Sequence, residues 1–139
     1  MNVLVTGASA GFGAAIARRF AAAGHHIIAA GRRADRLEAL ADEIGRDKVL
    51  PLILDVRDRE AVAKAIASLP ADFAEIDLLV NNAGLALGLE AAQAADLDNW
   101  DTMVDTNIKG LMYVTRAVLP GMVARNRGHV INIGSTAGA

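Results

Sequence analysis

A short apolar run, Val3-Leu4-Val5, meets a glycine-rich turn, Thr6-Gly7-Ala8-Ser9-Ala10-Gly11-Phe12-Gly13, and a helical pattern follows at once. This junction constrains the fold more than any other feature of the chain. A strand has to end, the backbone has to turn sharply, and a helix has to begin against the sheet. Gly7 permits the turn, Gly11 leaves no side chain between the backbone and an approaching anion, and Gly13 allows close packing of the helix. The helix N-terminus then offers unpaired N–H groups and a positive dipole end. Glycines also serve bare turns, but a strand before and a helix after is the context a pyrophosphate cradle needs. The residues expected to meet the phosphates are Thr6, Gly7, Ser9, Gly11, Phe12 and Gly13.

The rest of the chain repeats the theme. Apolar runs at Val3–Thr6, His26–Ala30, Val49–Leu54, Asp77–Asn81 and Val130–Ile133 read as strands. Helical patterns fill every gap. The first spans about Phe12 to Ala23 and stops at Gly24; the second carries Leu37, Leu40, Ala41 and Ile44 and stops at Gly45. The third begins near Asp58 and presents Val62, Ile66 and Leu69 before Pro70. The fourth begins near Asp98 and runs to about Leu119, with a continuation past a kink at Pro120 left open. Such alternation predicts an α/β fold, a doubly wound parallel sheet of Rossmann type, within one domain spanning 1–139.

On the fourth helix, Trp100, Val104, Ile108, Leu111 and Val118 are expected on one face, and Met103, Val114 and Met122 on another. Two apolar faces fit either a deeply buried helix or one that packs on the sheet and on a partner subunit. The region Asp98–Leu119 is therefore the candidate surface for a homo-oligomer.

Composition excludes several function classes. A net charge of −2 gives no sign of a nucleic-acid or membrane-surface partner. Zero cysteines exclude disulfides, cysteine nucleophiles and thiolate metal sites, and His25, His26 and His129 lack ligand spacing, so no metal is expected. No apolar run approaches the ~18 residues of a membrane span, and Met1-Asn2 leads directly into a strand without a secretory pattern. A cytoplasmic protein is the expectation.

Chemistry concentrates at the predicted strand ends, where open α/β sheets place their ligands. The second strand runs into Gly31-Arg32-Arg33, with Asp35 further on, at the start of the next helix. An NAD site uses an acid at that strand end, whereas an NADP site uses a cation to meet the 2′-phosphate. Arg32 and Arg33 therefore favour NADP over NAD, although two arginines also suit a solvated turn. Asp55, beside Val56, can accept a hydrogen bond from an adenine amino group or can simply cap a turn. Asn82, Ala83 and Gly84, within Asn81-Asn82-Ala83-Gly84, follow the fourth strand and are small enough to let a cofactor approach.

Together these residues resemble the short-chain dehydrogenase/reductase family. The resemblance rests on Thr6-Gly7-x-x-x-Gly11-x-Gly13, Asn81-Asn82-Ala83-Gly84, Asn107-Ile108-Lys109-Gly110, and Ser135 after Val130-Ile131-Asn132-Ile133-Gly134. Residues 83–88 and 133–138 are similar to those of NADP-dependent 3-hydroxy acid (serine/allo-threonine) dehydrogenases. The resemblance implies hydride transfer between a nicotinamide and a small alcohol or carbonyl substrate. It implies that Ser135 hydrogen-bonds the substrate oxygen and that Asn107 interrupts the fourth helix and fixes a relay water. It further implies dimers or homotetramers built on that helix.

The family's Tyr-x-x-x-Lys, its general acid/base pair, is not among these residues. The single tyrosine is Tyr113, and Ala117 stands four residues later. The expectation is an N-terminal portion of a larger single-domain enzyme, not competent alone. With the fifth strand at an open edge, Leu79, Val80, Ile131 and Ile133 are expected to leave apolar surface exposed. The alternative is a non-catalytic NADP-binding module or scaffold. An enzyme of another class on the same fold fits Asn81–Gly84, Ser135 and Arg32-Arg33 less well.

Overall fold

A computed structural model describes residues 1–84 and 91–134. Five parallel strands lie in the order β3-β2-β1-β4-β5. They are β1 (Asn2–Val5), β2 (His26–Gly31), β3 (Val49–Ile53), β4 (Ile76–Asn81) and β5 (His129–Asn132). The connecting helices are α1 (Gly11–Ala22), α2 (Ala34–Ile44), α3 (Arg59–Ala67), α4 (Leu97–Val104) and α5 (Leu111–Arg125). The predicted strands and the first three predicted helices are present to within a few residues. The sheet order is the expected Rossmann type.

The pleat of β1 divides the core. Val3 and Val5 join Ile27, Ala29, Leu78 and Val80 beneath α1 and α2. Leu4 joins Ile28 and Leu79 beneath α3 and α5. A strand covered on both faces needs apolar residues at every position, which is why Val3-Leu4-Val5 shows no alternation. β3 tolerates Pro51 because one side of this strand carries no ladder partner among the described residues.

Two expectations need correction. Leu79 and Val80 are closed, at 0% and 2% exposure, because α5 covers one and α1 the other. Only Ile131 and Ile133, at 41% and 44%, follow the predicted open surface. The second correction concerns the fourth helix. It is three segments, since a π-helical turn, Asp105–Gly110, separates α4 from α5. Val118 accordingly shares the buried face of Val114 and Met122. Trp100, Val104 and Ile108 lie exposed on another. A π turn inserts a residue into the helical repeat, so a stripe drawn through it at uniform α spacing drifts off its face. The interruption at Asn107 is the one the family resemblance implied. α5 continues past Pro120 to Arg125, where Asn126 adopts a left-handed conformation and ends it. Among the described residues no helix is long and apolar enough to cross a membrane.

Candidate dinucleotide site

A cleft of about 400 Å³ opens at the C-terminal ends of β1, β2, β3 and β4. Its floor is the turn between β1 and α1. Gly7 has φ +63°, and a Cβ there would lie 2.9 Å from the Cα of Ala83. The two glycine-bearing turns therefore touch backbone to backbone. Gly11 has φ +55° and faces open space. Its glycine is required by conformation, with room left over for a ligand. Gly13 answers to sterics, because a Cβ there would stand 2.0 Å from the Gly7 carbonyl oxygen. At the head of α1, Ala10 supplies no side-chain cap, so the first-turn N–H groups remain available to an anion.

Thr6 does not line this cleft, and neither do Gly11 and Gly13. Thr6 works from behind. Its buried Oγ1 accepts from the backbone N–H groups of Asn82, at 3.0 Å, and Ala83, at 2.9 Å. It donates in turn toward the Val80 carbonyl at 3.5 Å. Asn82 Nδ2 donates to the Gly7 carbonyl at 3.3 Å. These bonds hold the β1 and β4 turns as one surface. Asn82, Ala83 and Gly84 line the cleft beside Gly7, Ser9 and Phe12 as predicted.

One rim is basic. Gly31, Arg32 and Arg33 line it at the end of β2. Arg33 pairs with Asp35 at 3.6 Å, while Arg32 makes no direct ion pair among the described residues. Next to this rim, at the end of β3, the lip carries Leu54, Asp55 and Val56. Arg57 grips Asp55, with Nη2 2.7 Å from Oδ2 and Nε 3.0 Å from Oδ1. The hydrogen bonds and charge of that guanidinium hold the Asp55 carboxyl below the usual carboxylate range, against the opposing effect of burial. Val56 in turn rests on the π turn, where a Cβ on Gly110 would come within 2.5 Å of Val56 Cγ2.

The π turn brings two residues to the cleft. Thr106 is buried and lines it. Asn107 stands just outside, with Oδ1 3.2 Å from where a Cβ on Gly84 would sit. Ser135 lies outside the described residues, as do Leu85, Ala86, Leu87 and Gly88. Sequence reasoning missed Ala10, Gly31, Leu54 and Thr106 as lining residues. Thr106 had one available signal, its position beside Asn107. Among the described residues no cluster of three metal-ligating side chains exists.

Sheet order, glycine turn and cleft define the class of protein, a Rossmann-type α/β unit whose strand ends form an anion-receptive groove. A family model for short chain dehydrogenases matches residues 1–139. An NADP-dependent 3-hydroxy acid dehydrogenase of Salmonella typhi is 66% identical over all 139 residues, which span 56% of that relative. Serine dehydrogenase from Escherichia coli superposes with a TM-score of 0.96 at 62% identity, over 99% of this chain and 63% of that one. The closed form of serine dehydrogenase complexed with NADP+ also superposes at TM-score 0.96 and 62% identity, over 99% of this chain and 55% of that one. The chain belongs to the short-chain dehydrogenase family. It spans little more than half the length of the curated relatives it matches.

Proposed function

We propose that this chain forms the NADP-binding portion of an oxidoreductase that transfers hydride between NADP(H) and a small alcohol or carbonyl substrate, most specifically a 3-hydroxy acid. The observation that carries the reading is the basic rim. Arg32 and Arg33 stand where an NAD-specific site would place a carboxylate, beside a cleft floored by glycine backbone. The names of the relatives just given agree with it.

The residues present fit the cofactor. The turn at Gly7, Ser9 and the head of α1 would hold the pyrophosphate. Arg32 and Arg33 would meet the 2′-phosphate, and Asp55 would accept from the adenine amino group beside Val56. Asn82, Ala83 and Gly84 would run beneath the nicotinamide half, held in line by Thr6. When bound, the dinucleotide supplies the hydride-transferring ring. Asn107 would hold a water at the cleft mouth for proton relay, and Ser135 would hydrogen-bond the substrate oxygen. The general acid/base is expected outside these 139 residues, which we read as the N-terminal portion of a larger single-domain enzyme.

The exposed stripe of Trp100, Val104 and Ile108 supports a homo-oligomeric enzyme, a dimer or tetramer joined through this helix. We read the protein as cytoplasmic, with small-molecule partners. The test is a spectrophotometric assay of the full-length gene product with NADP and a panel of 3-hydroxy acids. NADP reduction with serine or a related 3-hydroxy acid is expected. Stoichiometric NADP binding with no turnover of any alcohol or carbonyl would favour the non-catalytic module instead.

A further inference from the structure

Arg57 does not line the cleft, but it is ion-paired with Asp55, which does. The pair it forms differs from an ordinary surface ion pair in its connectivity. Three N–H groups of Arg57 converge on one carboxylate. The backbone N–H donates to Asp55 Oδ1 at 3.0 Å, Nε is shared between Oδ1 and Oδ2, and Nη2 donates to Oδ2. An ionised carboxylate offers about four acceptor positions. Oδ1 accepts from the backbone N–H and Nε, while Oδ2 accepts from Nη2 and, at 3.2 Å, from the longer branch of the shared Nε. Asp55 is thus fixed in rotation at the cleft lip, and its most loosely held position is the one on Oδ2, which a ligand donor can take over while Nε stays on Oδ1.

A loop carboxylate free to rotate would lose that freedom on ligand binding and so weaken affinity. Arg57 removes the freedom beforehand. Asp105 of the π turn, itself paired with Lys109, adds a weaker electrostatic attraction to Arg57. Because Asp55 is held ionised, it can only accept. A ligand group that donates is favoured there, and a carbonyl oxygen is repelled.

We propose that Arg57 is a positioning residue for base recognition: its three-point grip on Asp55 presents one carboxylate oxygen to the exocyclic amino group of adenine and sets the preference for a 6-aminopurine over a 6-oxopurine dinucleotide. This inference rests on the NADP reading above.

The experiment is isothermal titration of the full-length protein with NADP and with nicotinamide hypoxanthine dinucleotide phosphate, in which a carbonyl replaces the 6-amino group. The unaltered protein is expected to prefer NADP about tenfold, the size of one charge-assisted hydrogen bond. Arg57→Ala should collapse that ratio toward unity, mainly through weaker NADP binding. Arg57→Lys should restore little, since an ammonium keeps the charge and loses the fork. Thermal melts of both variants establish that each is folded. If Arg57→Ala preserves the ratio, with affinities unchanged or lowered equally for both ligands, the proposal is overturned. Asp55→Ala separates this from failure of the underlying reading. A ratio lost in Asp55→Ala but kept in Arg57→Ala leaves Asp55 as the base contact and removes Arg57 from the role. A ratio absent from the unaltered protein, or surviving Asp55→Ala, rejects both.

Discussion

β1 and β5 are both parallel strands of four residues in one sheet, yet they live in different surroundings. β1 has a strand on each side and a helical layer on each face, and Val3, Leu4 and Val5 are fully buried. β5 lies at the sheet edge, and Ile131 is 41% exposed. β1 carries three apolar residues and β5 two, but Ile131 is as apolar as Leu4, so the exposure of that side chain comes from its neighbours. Burial on two faces makes β1 and β4 a rigid base for the glycine turns. The β5 side supplies no comparable confinement among the described residues.

The contrast can be sharpened by substitution, starting with the largest effect. Leu79→Ala on β4 should cost about 2–5 kcal/mol by urea unfolding, because a fully closed site cannot relax around the cavity. Gly13→Ala should cost about 3 kcal/mol and also abolish dinucleotide binding, since the added methyl group meets the Gly7 carbonyl, which cannot yield. Titration with NADP reads the second effect. Thr6→Val keeps the shape and removes the acceptor of two backbone N–H groups, for a loss of about 2 kcal/mol. Thr6→Ser, which retains the oxygen, should recover most of it.

A smaller effect belongs to Asp77, at the base of β4. Burial alone would raise its carboxyl pKa, but the Asn2 N–H and the Arg127 guanidinium outweigh burial and lower it. A carboxyl depressed in the folded state binds fewer protons there than in the unfolded chain. Its contribution to stability is therefore present above the ordinary carboxylate range and fades as pH falls through the folded value. Unfolding measured across acid pH should show this dependence, and Asp77→Asn should flatten it. The smallest change is expected at the edge. Ile131→Ala in the 139-residue polypeptide should fall within about 0.5 kcal/mol. A cost near that of Leu79→Ala would mean that β5 is as confined as β4.

The parts of this fold legible in the sequence are those governed by local rules. Continuous apolar runs announced the strands, and Gly24 and Gly45 announced helix ends. The glycine turn and Arg32-Arg33 could be placed because ligands in such sheets gather at strand ends. What escaped depends on partners distant in sequence. Thr6 reads as a phosphate contact until its bonds to Asn82 and Ala83, more than seventy positions away, are seen. Asp55 is a different case: the sequence left it as a base acceptor or a turn carboxylate, and its partner Arg57 stands only two positions on. The π turn was invisible to periodicity because a single inserted residue leaves each flanking stretch helical in pattern, and only the family resemblance pointed to an interruption at Asn107.

That inserted residue also bears on the phase between two halves of one helix. Each residue advances an α-helix by about 100°. A π turn absorbs one such step, so deleting one residue within Asp105–Gly110 would restore uninterrupted α winding and leave α4 and α5 in their present phase. Val114, Val118 and Met122 would keep the sheet, and Trp100 and Val104 their outward heading. What the deletion would remove is the local widening that carries Thr106 and Asn107 to the cleft, so the turn shapes the site without moving the helix.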